Sequence, residues 1–381
     1  MKEKTYIAQY DHYILFIYIL LMLIGLFMQL NISSVRTSMF FFYRQFAWFL
    51  LSIAAVWYAF RVVDLEKLRK YSFLLLIITI GLLIAVLIFG KSVKGAVRSI
   101  QIWKINIQPS LIARITLILY FAHFLDKKQK LIPESKPRIF VTKFNALIIM
   151  TGIIYVLILA ERHFSPLVIS GLTLLSLLYL SRIRFLTIFL IIFIFALAGI
   201  IVINSGPKYR GERMKIFHQY SLFFHDHEEE KYEGTNDYQI REGLISLSSG
   251  KLFGTGSEHG TGKHYFLPEA KTDYIFAIIG EQYGFLGALS VLILYVLLFV
   301  RSIISSWRKE ELYLKLVGVG LGMNIFFNAI VNIGVAMGAL PSTGVTLPFI
   351  SYGGTSLLVN SLTIGFLLNI SSERKRYFLN A

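Results

Sequence analysis

Ten long apolar runs fill this 381-residue chain almost from end to end, and they restrict its fold more than any other feature. They lie near 13–31, 42–60, 72–90, 108–125, 144–160, 165–181, 185–203, 273–300, 312–335 and 349–370. A helix of ~20 residues crosses the ~30 Å hydrocarbon core of a bilayer. With 56% hydrophobic residues and a mean hydropathy of +0.65, a water-borne domain would be covered in apolar patches. The expected fold is an all-α polytopic membrane protein of about ten transmembrane helices, one membrane domain over residues 1–381. The first run is long and ends in Asn31-Ile32-Ser33-Ser34 with no small-residue cleavage site, so it reads as a retained helix.

Charge sets the expected topology. The net charge of +16 is spread over alternate loops, which speaks against a nucleic-acid-binding face. One set of segments holds 21 Lys and Arg: Lys2 and Lys4, Arg61 to Lys70, Lys127 to Lys143, Arg182 and Arg184, Arg301 to Lys315, and Arg374 to Arg376. The positive-inside rule makes these cytoplasmic, and both termini with them. The hydrophilic segment 204–272, between the seventh and eighth runs, becomes a large extracytoplasmic loop. Cysteine is absent, so neither disulfides nor thiolate metal sites exist.

Pro341 to Ser356 packs two prolines after position 341 or at it, three glycines and several hydroxyls against the start of the last helix. Non-helical backbone at membrane depth needs burial in protein or an aqueous cavity, so this stretch is expected to form a re-entrant cavity wall presenting Ser351, Thr355 and Ser356. His225-Asp226-His227-Glu228-Glu229-Glu230 has metal-friendly residue types but reads as a solvated acidic run.

That last motif and Leu267-Pro268-Glu269-Ala270-Lys271-Thr272-Asp273 through Glu281 resemble the SEDS family of bacterial cell-wall polymerases, the FtsW and RodA proteins. Arg44-Gln45 with Trp48, Lys94 to Arg98, Gln108-Pro109-Ser110, Tyr209-Arg210 with Arg213, and Asn332-Ile333-Gly334 follow in family order. Leu267 to Ala270 and Thr346-Leu347-Pro348 are closer to the division branch, FtsW, than to the elongation branch, RodA. The resemblance implies a peptidoglycan glycosyltransferase that joins lipid II units on the outer face of the cytoplasmic membrane. It also implies a class B penicillin-binding protein as transpeptidase partner, among other membrane proteins of the division or elongation machinery.

Such a reaction needs a base for the acceptor hydroxyl and cations for the departing diphosphate. Asp273 matches the family's catalytic aspartate; a helix N-cap is the plainer alternative for it. Glu281, eight residues on, is expected on nearly the same helical face. Arg44, Lys94, Arg98, Arg114, Arg210 and Arg213 are the candidate substrate-binding cations, arginine being suited to a diphosphate by its planar fork. No nucleotide cofactor is required, which leaves room for magnesium or manganese carried by the diphosphate. Two family carboxylates are replaced, by Leu111 and His163, which leaves Arg114 in need of another partner; Glu161 and the lipid diphosphate are the candidates. A lipid II flippase or a non-catalytic scaffold are the competing readings.

Overall fold

The computed structural model describes residues 3–35, 39–90, 92–93, 96–102, 105–132, 136–204, 211, 216–221, 235–256 and 271–378. Its helices are α1 (His12–Val35), α2 (Phe40–Arg61), α3 (Leu65–Lys70), α4 (Ser72–Phe89), α5 (Pro109–Lys127), α6 (Pro137–Lys143), α7 (Asn145–Ala160), α8 (Ser165–Leu180), α9 (Phe185–Asn204), α10 (Thr235–Ser249), α11 (Ile275–Trp307), α12 (Leu312–Ala336) and α13 (Gly354–Ser371). All ten apolar runs are helical, and the chain is an all-α polytopic membrane protein. Among the described residues α1, α2, α4, α5, α11, α12 and α13 are each long and apolar enough to cross a membrane alone. Of the other three, α7 forms an eighth span only together with α6, across a 78° bend, and α8 is a shorter apolar helix, while α9 runs for 20 residues. Two tight turns cut this region: Arg162 (φ 58°) and Arg182 (φ 63°) adopt left-handed backbone just past the ends of α7 and α8. In each, the next amide bonds back into the last helical turn, His163 to Ile158 and Ile183 to Leu178, which closes the helix end.

Residues Glu3–Gln9 (β1) pair antiparallel with Glu373–Phe378, bringing the two ends of the chain together at one end of the bundle. Two small hairpins, Ser92–Val93 with Ala96–Val97 and Ile100–Ile102 with Ile105–Ile107, lie between α4 and α5. Chain direction puts them at the opposite end, together with the 161–164 and 338–353 connections.

The helix α12 is the hub, packed on α5, α8, α11 and α13. Past Tyr313 and Lys315 in its first turn, its polar side chains are Asn324, Asn328 and Asn332, all buried and four residues apart, which therefore stack on one face. Small residues let its neighbours approach: a side chain at Gly320 would press on Ile118 and Leu177.

At Gly284 (φ 68°, ψ −167°) α11 breaks. A break inside a helix orphans backbone groups that lipid cannot satisfy. Here the 250–256 turn takes them up: Phe285 and Leu286 donate to the carbonyls of Lys251 and Leu252, and Thr255 donates from its amide to the carbonyl of Glu281 at 2.9 Å. Residues 275–282 before the break are all buried, so the membrane-crossing part of α11 follows Gly284.

Candidate functional site

The site forms where the last long connection dips into the bundle. Phe349, 2% exposed, holds φ at 68°, a conformation strained for a bulky residue, and its ring meets Tyr18 edge-on at 5.2 Å. A β-carbon on Gly25, midway along α1, would lie 2.6 Å from the Phe349 carbonyl oxygen. Contacts with Tyr18 and Gly25, well inside α1, make this stretch re-entrant. Hydrogen bonds replace the helical ladder along it. Tyr295 donates to the Pro348 carbonyl, Gln45 to that of Ser351 at 3.3 Å, and the Tyr352 amide to the carbonyl of Lys271 at 2.8 Å.

Asp273 sits in the turn before α11, not on the helix. The N-cap is Tyr274, and no side chain caps the first turn, so the capping role is not what Asp273 performs. Asn332 fixes its backbone, donating to the carbonyls of Asp273 at 2.9 Å and Val345 at 2.6 Å, and so ties the turn to the re-entrant stretch. Across that tie lies Gly344 (φ 71°). A β-carbon there would be 3.2 Å from Arg98 Nη1 and 3.7 Å from Asp273 Oδ2, which puts those two groups within about 7 Å of each other around one small opening. Both side chains are half-buried.

The other expected residues divide. Arg44 hydrogen-bonds the Tyr352 hydroxyl at the end of the re-entrant stretch. Lys271 lies 3.4 Å from the centre of the Phe41 ring, a cation on an aromatic face beside them. Glu281 departs from expectation: because Asp273 precedes α11, the two share no helical face, and Glu281 lies buried in the packing of α10 on α11, its Cα 3.0 Å from a β-carbon built on Gly250. Ser351 lines no cavity either. It is 3% exposed, and its hydroxyl accepts from the Leu347 amide at 2.8 Å and donates to the Thr272 carbonyl at 2.6 Å. Thr355 and Ser356 are half-buried, with Ser356 Oγ 2.9 Å from Thr346 Oγ1. Lys94, Arg210, Arg213 and the His225 to Glu230 run lie outside the described residues. Elsewhere, among the described residues, no three His, Asp or Glu side chains gather as a metal site.

These placements predict a difference in reactivity. In the otherwise cysteine-free chain, Thr355→Cys should react with a small water-soluble maleimide far faster than Ser351→Cys. Equal labelling of the two would contradict Ser351's role as an internal clamp.

Arg114, 2% exposed, is not paired with Glu161. Its Nη1 donates to Asn328 Oδ1 at 3.2 Å, and its Nε has no partner. Glu161 is fully buried with neither carboxylate oxygen hydrogen-bonded. Burial pushes its pKa up to about 8, so at neutral pH it is mostly uncharged and could not neutralise an arginine. His163 stands beside Ser110 Oγ and Gln108 Nε2, each 3.2 Å from its Nδ1. An amide N–H can only donate, so Nδ1 accepts and Nε2 carries the hydrogen. Burial, then Arg98 and Arg114, hold the imidazole pKa well below its usual value, so this ring is neutral.

Sequence reasoning missed Asn328 and Asn332 as site residues. Their signal was present: amide side chains at a four-residue interval in an apolar helix must face protein or a polar cavity.

Residues 10–376 match the profile of the FtsW/RodA/SpoVE family, described as cell cycle protein. The chain is 33% identical over 388 aligned positions to a probable peptidoglycan glycosyltransferase FtsW of Coxiella burnetii, covering 98% of this chain and 99% of that one. It is also 33% identical to one of Buchnera aphidicola subsp. Schizaphis graminum, over 88% of this chain and 91% of that one. Among solved structures, a chain of a peptidoglycan synthase complex that coordinates polymerization and crosslinking superposes with a TM-score of 0.75 at 22% identity, covering 96% of this chain and 98% of that one. The rod shape determining protein RodA of Thermus thermophilus gives 0.68 at 21% identity, over 96% and 97%. At such identities the structural likeness speaks for the fold.

Proposed function

Since the chain belongs to the FtsW/RodA/SpoVE family of cell cycle proteins, we propose that it polymerises lipid II into peptidoglycan glycan strands at the opening around Gly344. It is a peptidoglycan glycosyltransferase, and the relatives reported above carry the name of the division branch. The observation that carries the assignment of the site is the convergence of a carboxylate and a guanidinium, Asp273 and Arg98, on one glycine of a re-entrant wall.

Each group has a role in an inverting transfer. Asp273 takes the proton of the acceptor GlcNAc 4-hydroxyl as that oxygen attacks the anomeric carbon of the lipid-linked MurNAc. The undecaprenyl diphosphate leaves from the opposite face, and Arg98 stabilises its growing charge. Asn332 positions the base through the backbone. Magnesium or manganese, where used, would travel with the diphosphate. On the positive-inside rule the β1 end of the bundle would face the cytoplasm and the Gly344 opening the outside, where a class B penicillin-binding protein would crosslink the product.

The test is polymerisation of labelled lipid II by the purified full chain with its cognate penicillin-binding protein. Glycan chains that resist a transpeptidase inhibitor and disappear when this chain is omitted are expected. Absence of polymer from a folded, partner-bound chain would overturn the reading in favour of transport or scaffolding.

A further inference from the structure

Behind the Gly344 opening lies a second, smaller space, a cavity of about 40 Å³ lined by Gln108, Leu111, Arg114, His163, Asn328 and Thr346, with the Gly344 and Val345 backbone on one side. The electrostatics of its wall are one-sided. Among the described residues no acidic side chain lies within 4.0 Å of Arg114, and the one group that meets its guanidinium is a neutral amide. Arg98 and Arg114 both act on His163, so the neutral ring is flanked by positive charge. Glu161, the nearest carboxyl in sequence to His163, is mostly protonated at neutral pH and bonds to nothing here. A buried guanidinium with no counter-charge is destabilising, and a partner of opposite charge offsets that.

The geometry points to a binding site for a small inorganic anion, a chloride ion, in this cavity, serving as the counter-charge of Arg114. Size permits the ligand. A cavity needs only about 10–15 Å³ in this measure to hold one water-sized body, so 40 Å³ admits a halide. Chemistry agrees with size, because Arg114 and the uncharged His163 are on the wall and no carboxylate lines it, the Asp273 carboxylate lying against Gly344 without lining the cavity. The cavity shares Gly344 with the opening at Asp273, so a bound anion would hold Arg114 in place behind the reacting centre without taking part in the transfer. This inference does not depend on the polymerase reading, since its consequence is a change in stability.

The experiment measures thermal unfolding of the detergent-solubilised full chain by tryptophan fluorescence, in sodium chloride against sodium gluconate at equal ionic strength. An anion bound only by the folded state should raise the midpoint by a few degrees, saturating with chloride concentration. Bromide should substitute for chloride. Arg114→Gln removes the charge and should abolish the chloride effect. Leu111→Glu places a carboxylate on the cavity wall one helical turn from Arg114; it should fold, and should melt alike in both salts because the protein now supplies its own counter-charge. Equal melting of the unmodified chain in the two salts would overturn the proposal. So would an undiminished chloride effect in Leu111→Glu, which would assign it to general salt action.

Discussion

Replacing Asp273 by asparagine is expected to abolish glycan polymerisation while leaving the protein folded and able to bind its partner. The amide has the shape of the carboxylate but cannot take a proton at neutral pH. Loss of a general base costs about 10²–10⁴ in rate, which in a gel assay reads as no polymer. Stability should hold because the side chain does not cap α11. The backbone carbonyl that anchors Asn332 is likewise unchanged by the substitution. Asp273→Glu should fare little better, since one extra methylene moves the carboxylate off the Gly344 opening. Polymer of normal length from Asp273→Asn would remove the base from this residue and with it the proposed chemistry.

A substitution remote from the chemistry should be nearly as damaging. In Gly25→Val the new β-carbon would sit 2.6 Å from the Phe349 carbonyl oxygen and 2.8 Å from the Ile350 Cα, both backbone atoms that no rotamer change can move. Either α1 separates from the re-entrant stretch or the stretch rises, and overpacking of this kind costs about 1–3 kcal/mol. Phe349 is already held in left-handed backbone by its packing, so it is the first residue expected to relax. We expect a lowered melting midpoint together with loss of polymerisation. Gly152→Val in α7 is the control, because nothing lies within 4 Å of a β-carbon at that position. If both variants behaved alike, the contact between α1 and the re-entrant stretch would not be what shapes the site.

The positions of the ten helices were legible because hydropathy and helix length are properties of a contiguous segment, read without knowing what the segment packs against. The unusual character of Pro341 to Ser356 was legible for a similar reason, as polar and helix-breaking residues next to a membrane span demand burial or water. The length of each span was not. The fifth run gives a crossing that is bent before α7 and the sixth a short helix, and the left-handed Arg162 and Arg182 end α7 and α8 where glycine would have announced the break. The register of Asp273 and Glu281 also misled, since helical spacing was applied to a residue that precedes the helix.

At the site, residue types were readable and pairings were not. Arg114 signalled a need for a partner through its burial in an apolar helix, a local fact. That the partner is Asn328, 214 residues away, and not Glu161 is decided by how α5 packs on α12. The same holds for Arg98 and Asp273, which both approach one positive-φ glycine from a third segment. The sequence by itself determined that this chain is built of apolar helices of membrane-crossing length and which residue types it has to build a site from. Only the tertiary structure decided which of those side chains meet and which serve the backbone, as Ser351 and Glu281 show. The physical reason is that transfer free energy and periodicity are sums over neighbouring residues, whereas a site is made by contacts between segments that the chain brings together last.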